Sequence, residues 1–288
     1  MKKRIDKAKN TIKDFFDNFF RVLRRPDMVL LPGNLSFFFV LAIIPTLGLI
    51  SYGASILNLS TDVLYDFIAG SFSAEMADII LGVNLGNNVG IQFVITLIVG
   101  LYVASNSADA IIVASNTIYH IENKSWFKRR FKAMGISFLI VVLLIFMLII
   151  PVFGNIIIDL IKEVDIGDLI TTRIIAVINL LKGPISWLII FAFIRIIYAV
   201  APDSKPKNRV INYGAFFTTV GWIVGTKIYS AYVTGYADYS ALYGSLAGIV
   251  VLMIWIYFLS YIFTVGIALN SQQDENNLLK TGTIKVEK

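Results

Sequence analysis

Four stretches of the chain run without a single charged side chain, from Asp27 to Asp62, Asp78 to Asp109, Lys132 to Asp159 and Asp238 to Asp274. Two further apolar segments are interrupted only by Lys182, Arg195 and Lys227. A bilayer core about 30 Å thick takes on the order of 20 apolar residues per helix, and each of these segments is long enough. The pattern predicts six transmembrane helices, near 33–57, 89–115, 134–158, 174–200, 211–234 and 243–270. Barrel strands alternate apolar and polar positions, which these runs do not, so the expected class is all-α, a polytopic membrane helix bundle.

Outside the spans the period changes. Ile5, Ala8, Ile12, Phe15, Phe16, Phe19, Val22 and Leu23 recur at steps of three and four between charged residues, predicting an N-terminal amphipathic helix closed by Pro26. Such a helix suits the inner-leaflet interface or packing on the cytoplasmic loops. Residues 58–88 mix carboxylates with Val63, Leu64, Phe67 and Ile68 and predict short extracytoplasmic helices. The expected division is a cytoplasmic amphipathic segment at 1–30, a six-helix domain at 31–271 and a short polar cytoplasmic tail at 272–288.

Composition agrees. Hydrophobic residues make up 57% and charged residues 15%, against roughly 45–50% and about 25% in ordinary soluble domains. Residues 2–25 carry charge throughout, where a secretory leader needs an apolar centre, so the first span is expected to remain in the mature protein.

Charge then sets orientation, because basic loops resist translocation. The N-terminal segment holds nine Lys and Arg, the 116–133 loop five, and loop 201–210 adds Lys205, Lys207 and Arg209. Loops 58–88 and 235–242 hold none, and loop 159–173 holds Lys162 and Arg173. Both termini are therefore expected in the cytoplasm, with the chain in the inner membrane. The formal net charge of +6 follows from this topology and asks for no nucleic-acid partner. Membrane lipids are the expected partners, since juxtamembrane cations are drawn to anionic headgroups. Envelope-assembly proteins are a further expected class, and the oligomeric state stays open.

Candidate chemistry is sparse. With no Cys and one His, His120, the chain offers no thiolate and no imidazole cluster, so no metal, no cofactor and no enzymatic centre is expected. Polar residues inside the spans are the informative ones. Ser105, Asp109 and Asn116, spaced by four and seven, share a helical face that must avoid lipid. An ionised carboxylate costs a few kcal/mol in hydrocarbon, so Asp109 should meet a cation, with Arg195 at a matching depth and Lys227 less well placed. A purely structural ion pair explains the same residues. Gly100, Ala104 and Ala108 repeat every four residues, a close-packing stripe. Pro45, Pro151 and Pro184 fall inside spans; Asn34 and Ser36 would cap the first helix and Pro45 interrupt it. The candidate substrate pathway is accordingly Asn34, Ser36, Pro45, Ser105, Asp109, Asn116, Arg195 and Lys227. Tyr229, Tyr232, Tyr236, Tyr239 and Tyr243 form an outer aromatic belt.

Four stretches in order resemble the YihY/virulence factor BrkB family of bacterial inner-membrane proteins: "NLSFFFVLAIIPTL"; "NTIYHIENKSWFKRR", with Asn116 and Tyr119; "IYAVAPDSKPKNRVINYGA", with Tyr198, Pro202 and Gly214; and "YGSLAGIVVLMIWIYFLSYIFTVGIALN", with Tyr243, Gly244, Trp255, Gly266 and Asn270. A Gly-Ala-Glu-Leu-Asn string common in that family has Ala268 here at the Glu position. The resemblance implies six helices with both ends cytoplasmic, and a link to the cell envelope and virulence. The family's ribonuclease label finds no support in a chain with one His, because RNA hydrolysis needs a metal cluster or a paired acid and base. Two functions remain: a transporter, exporter or flippase of a lipid or other envelope component, and a non-transporting scaffold for envelope assembly. Transport predicts a polar cavity reaching Asp109 and Arg195; the scaffold predicts a filled bundle. No phosphate-cradling glycine loop is present, so ATP hydrolysis is not expected of this chain.

Overall fold

The computed structural model describes residues 19–56, 65, 91–142, 168–204, 206, 208–235 and 247–280. Among them every regular element is a helix. After one helical turn at 19–23, the long helices are α1 Asp27–Ile56, α2 Ile91–Ile118, α3 over 126–142, α4 Asp168–Val200, α5 Asn208–Gly235 and α6 Ala247–Lys280. The expectations for residues 5–18, for the 58–88 helices apart from Tyr65, for Pro151 and for Tyr236, Tyr239 and Tyr243 lie outside the described residues.

Helix α1 begins at Asp27, six residues before the expected span. An acidic residue in the first turn suits the positive end of the helix dipole, and Pro26 sets the chain direction just ahead of it. Asn34 and Ser36 therefore lie inside the helix and do not cap it. Ser36 Oγ instead donates to the Gly33 carbonyl at 2.8 Å. The helix also runs unbroken through Pro32 and Pro45, as α4 does through Pro184. Each proline removes one backbone bond, but hydrocarbon offers no solvent to replace the rest of the ladder, so the helix persists.

Among the described residues three helices contain segments long and apolar enough to cross a membrane: Ile98–Ile118, Gly183–Val200 and Gly248–Glu275. A shorter apolar stretch covers Asp27–Ile43. The outward faces carry large apolar side chains, including Phe37, Leu41, Phe138, Phe216 and Ile228. Water would penalise such a surface, whereas acyl chains solvate it.

Helix α1 packs along α2, and α6 packs against both α5 and α1 and touches α2, while α4 lies on α5. Lipid is as apolar as leucine, so these contacts depend on close fit and on polar pairing more than on burial. The α5–α6 crossing shows the first. A Cβ on Gly214 would collide with the Gly266 carbonyl and the Asn270 amide, and one on Gly266 would strike Thr218 Oγ1 and the Tyr198 hydroxyl. On α2, Ala104 and Ala108 are fully buried, as their four-residue repeat predicts.

The start of α1, the end of α2, the start of α3, the end of α4, the start of α5 and the end of α6 meet at one end of the bundle. Bonds from Arg25 to Ile118, Asn116 to Asp203, Lys132 to Ala201 and Ser271 to Ile118 bring them together. The basic loops counted from the sequence thus share one end.

Candidate functional site

The end of α2 is built from its backbone outward. The Ile121 N–H donates to the Asn116 carbonyl at 2.8 Å and the His120 N–H to Thr117 at 3.1 Å, the paired bonds of a Schellman cap. That cap needs a left-handed residue, and His120 supplies it at φ 54°, alone among the described non-glycine residues. The buried carbonyl of Ile118, in the last turn of α2, accepts from Arg25 Nη2 at 3.2 Å and Ser271 Oγ at 3.0 Å. Arg25 Nη2 also lies 3.3 Å from His120 Nε2 and 3.4 Å from Asp27. The only histidine of the sequence is therefore spent in a helix terminus.

One turn deeper, the fully buried Asn116 binds the α4–α5 connection at two points. Its Nδ2 donates to Asp203 Oδ2 and its Oδ1 accepts from the Asp203 N–H, both at 2.9 Å. Asn116 Nδ2 also lies 2.9 Å from Asn123 Oδ1. Lys132 Nζ, from α3, donates to Asp203 Oδ1 at 2.7 Å and to the Ala201 and Pro202 carbonyls at 2.7 and 3.0 Å, closing the end of α4. Lys124 adds a contact to Asp203 at 3.4 Å, and the Asp203 side chain is 3% exposed. Burial pushes its carboxyl up, but the bonds from Lys132 and Asn116 and the charges of Lys132 and Lys124 outweigh this and hold it down at about 2. Tyr119, beside this cluster, has its hydroxyl raised above the ordinary phenol range by burial and by the Asp274 carboxylate.

Asp109 does not meet Arg195. Its Oδ1 accepts from Arg129 Nε at 2.7 Å, and the neighbouring Arg130 donates to Asn106 Oδ1 at 2.8 Å and the Tyr102 carbonyl at 2.7 Å, with its guanidinium 3.7 Å above the Tyr102 ring. Arg129 and Arg130 sit in the first turns of α3, so the carboxylate finds its counter-charge near the basic end. Arg195 lies on α4, which packs on α5, and there it donates to Asn212 at 2.9 Å. Of the other sequence candidates, Ser105 is buried with its hydroxyl on the Tyr102 carbonyl at 2.7 Å, Pro45 and Ser36 are half-buried, and Asn34 and Lys227 are exposed. The fold does not gather the eight into one place.

What it does form is a half-open pocket of about 270 Å³ lined by residues of all six long helices. Phe39, Ala42, Ile43 and Thr46 come from α1, Ser107 and Ile111 from α2, Ile140 from α3, Phe193 and Ile197 from α4, Trp222 from α5 and Phe263 from α6. Helix α2 thus turns Ser107 and Ile111 inward, and none of the eight candidates lines this space. Its polar atoms are largely occupied: Ser107 Oγ donates to Ala104 at 2.8 Å and Trp222 Nε1 to Leu259 at 3.0 Å. Below it, the Tyr198 hydroxyl bonds Thr218 Oγ1 and the Phe263 carbonyl, each at 2.7 Å, with the Tyr198 and Phe263 ring centroids 4.8 Å apart.

Asp203, Lys132 and Arg129 were not singled out from the sequence as site residues, and Tyr198 entered only through the family resemblance. One signal existed for Asp203, the single acidic residue of the 201–210 loop. Residues carrying the family resemblance converge here: Asn116, Tyr119, Tyr198, Pro202, Gly214, Gly266 and Asn270 lie in or beside the polar cluster and the α5–α6 crossing. Ala268, in the place of the family's Glu, is fully buried in the apolar core.

Comparison with known proteins agrees. Residues 19–284 match the family described as virulence factor BrkB. The ribonuclease-like protein YfkH of Bacillus subtilis (strain 168) is 33% identical over 244 residues, 83% of this chain and 87% of that protein. UPF0761 membrane proteins of Idiomarina loihiensis and Haemophilus influenzae (strain 86-028NP) are each 31% identical, over 88 and 80 residues, covering 31% and 30% of their length. No solved structure matches the chain. The matched length, the apolar helices and the gathered motif residues make this chain a membrane protein belonging to the virulence factor BrkB family.

Proposed function

We propose that the chain moves or holds a lipid or another amphiphilic envelope component in the cytoplasmic membrane, as a six-span bundle with both termini in the cytoplasm. The central cavity carries this reading. Six helices line a half-open pocket of about 270 Å³, and its lining is apolar. An apolar lining offers a hydrophilic solute few hydrogen-bond partners, so a hydrocarbon chain is a better occupant. The sequence pointed to a polar cavity at Asp109 and Arg195; the apolar lining moves the favoured cargo toward the acyl part of an amphiphile. The scaffold reading has no comparable feature behind it among the described residues. The basic end suits the cytoplasmic side because cationic loops are retained there. RNA hydrolysis draws no support from His120, held as it is by Arg25 at a helix end.

The test is reconstitution of the purified full chain into liposomes containing a fluorescent phospholipid, with dithionite quenching to read transfer between leaflets. Transfer faster than in protein-free vesicles, slowed by Ala42→Leu or Ile111→Trp, is the expected result. Equal rates with and without protein, or filled-cavity variants that are helical and as fast as wild type, overturn it.

A further inference from the structure

A second concavity, sharing no residue with the central cavity, opens outward between α5 and α6. It holds about 400 Å³ and runs beside α5 from Tyr213 past Phe216 and Val220 to Val224. At about 1.5 Å per residue this course is about 16 Å long, half of a bilayer core about 30 Å thick, so the groove has the depth of one leaflet. Gly221 sets the approach of the two helices beside it: a Cβ there would meet Ile262 Cγ2 at 2.7 Å, so glycine lets α5 sit close against α6. Polarity is confined to the basic end, where the Gln272 and Gln273 amides line the mouth with Tyr213.

Cationic charge stands at the same end. The Phe19 ring centroid lies 5.8 Å from that of Phe217, a groove residue, which brings the 19–25 segment to the mouth. Its Arg21 and Arg24 side chains are exposed.

We propose that this groove binds one anionic glycerophospholipid, with an acyl chain along α5 and its phosphate at the arginine end. Length, one-ended polarity and charge select this occupant together. A free phosphate gains nothing from the apolar length, and a zwitterionic lipid leaves the two arginines uncompensated. Surface cations raise anionic lipid affinity, and two of them near a headgroup correspond to about a thirtyfold preference.

The experiment is native mass spectrometry of the full chain in detergent micelles with dioleoyl phosphatidylglycerol or dioleoyl phosphatidylcholine. One phosphatidylglycerol per chain is retained by wild type and phosphatidylcholine is released. Val224→Trp, an exposed residue that fills the apolar end, weakens binding about tenfold. The Arg21→Gln, Arg24→Gln pair lowers the phosphatidylglycerol affinity about thirtyfold, to the level of phosphatidylcholine. Ile228→Trp, one turn beyond the groove, keeps wild-type retention and controls for the bulk of the new ring. Equal retention of both lipids by wild type, or unchanged phosphatidylglycerol binding in Val224→Trp or in the arginine pair, overturns the site. Ile111→Trp in the central cavity leaves this binding intact, so the groove and the transport reading fail separately.

Discussion

Asp203→Asn removes the charge on which the basic end is assembled. The carboxylate accepts from Lys132 at 2.7 Å and Asn116 at 2.9 Å and is nearly buried, while Lys132 also closes the last carbonyls of α4. The interval from 3.8 down to about 2 corresponds, at about 1.4 kcal/mol per pKa unit, to about 2.5 kcal/mol favouring the charged form in the folded chain. An amide keeps the shape but leaves Lys132, whose side chain is 22% exposed, without its counter-charge, so a loss of about 2–3 kcal/mol is expected. The sign with pH follows from linkage. A carboxyl with a depressed folded pKa stabilises fully above 3.8 and loses that contribution as pH falls toward about 2, because the unfolded chain takes up the proton first. Unfolding by denaturing detergent in mixed micelles, followed by tryptophan fluorescence at pH 7 and pH 3, measures both effects. Wild type should lose stability between these conditions by more than Asp203→Asn does. A variant as stable as wild type at pH 7, or an identical pH response in the two proteins, would refute the account of this cluster.

Other expectations are independent of that one. Gly266→Ala forces a methyl into Thr218 Oγ1 and the Tyr198 hydroxyl, so the α5–α6 crossing should open at a cost of about 1–3 kcal/mol, read by the same unfolding assay; a neutral result would mean that the helices separate freely. Asp109→Asn breaks a pair whose side chains are 24% and 22% exposed, so it should lower stability by only about 1 kcal/mol; complete loss of folding would place the pair in the core instead. Alkaline phosphatase and fluorescent-protein fusions at residues 5 and 280 should both report the cytoplasm, and one external reading would overturn the topology.

The helices and their exclusion from water were legible before any fold was known, because hydrocarbon acts on each segment alone. An uncharged run from Asp27 to Asp62 must satisfy its own backbone wherever its neighbours lie. Retention of cations is similarly local, and the loops it marked do collect at one end of the bundle. Ala104 and Ala108 were also readable, since a stripe of small residues packs closely against whatever helix arrives. Partner choice was not readable. Asp109 takes Arg129 over Arg195, and Asn116 takes Asp203, 87 positions away, because the order in which helices pack decides which polar group stands within 3 Å. The central cavity and the α5 groove belong to the same class: each is a space between helices, which no single helix contains. Sequence alone determined the solvent, the elements and the sidedness of the charge, all properties of one segment facing one medium. Only the tertiary structure decided the pairs and the voids, which are properties of several segments facing each other.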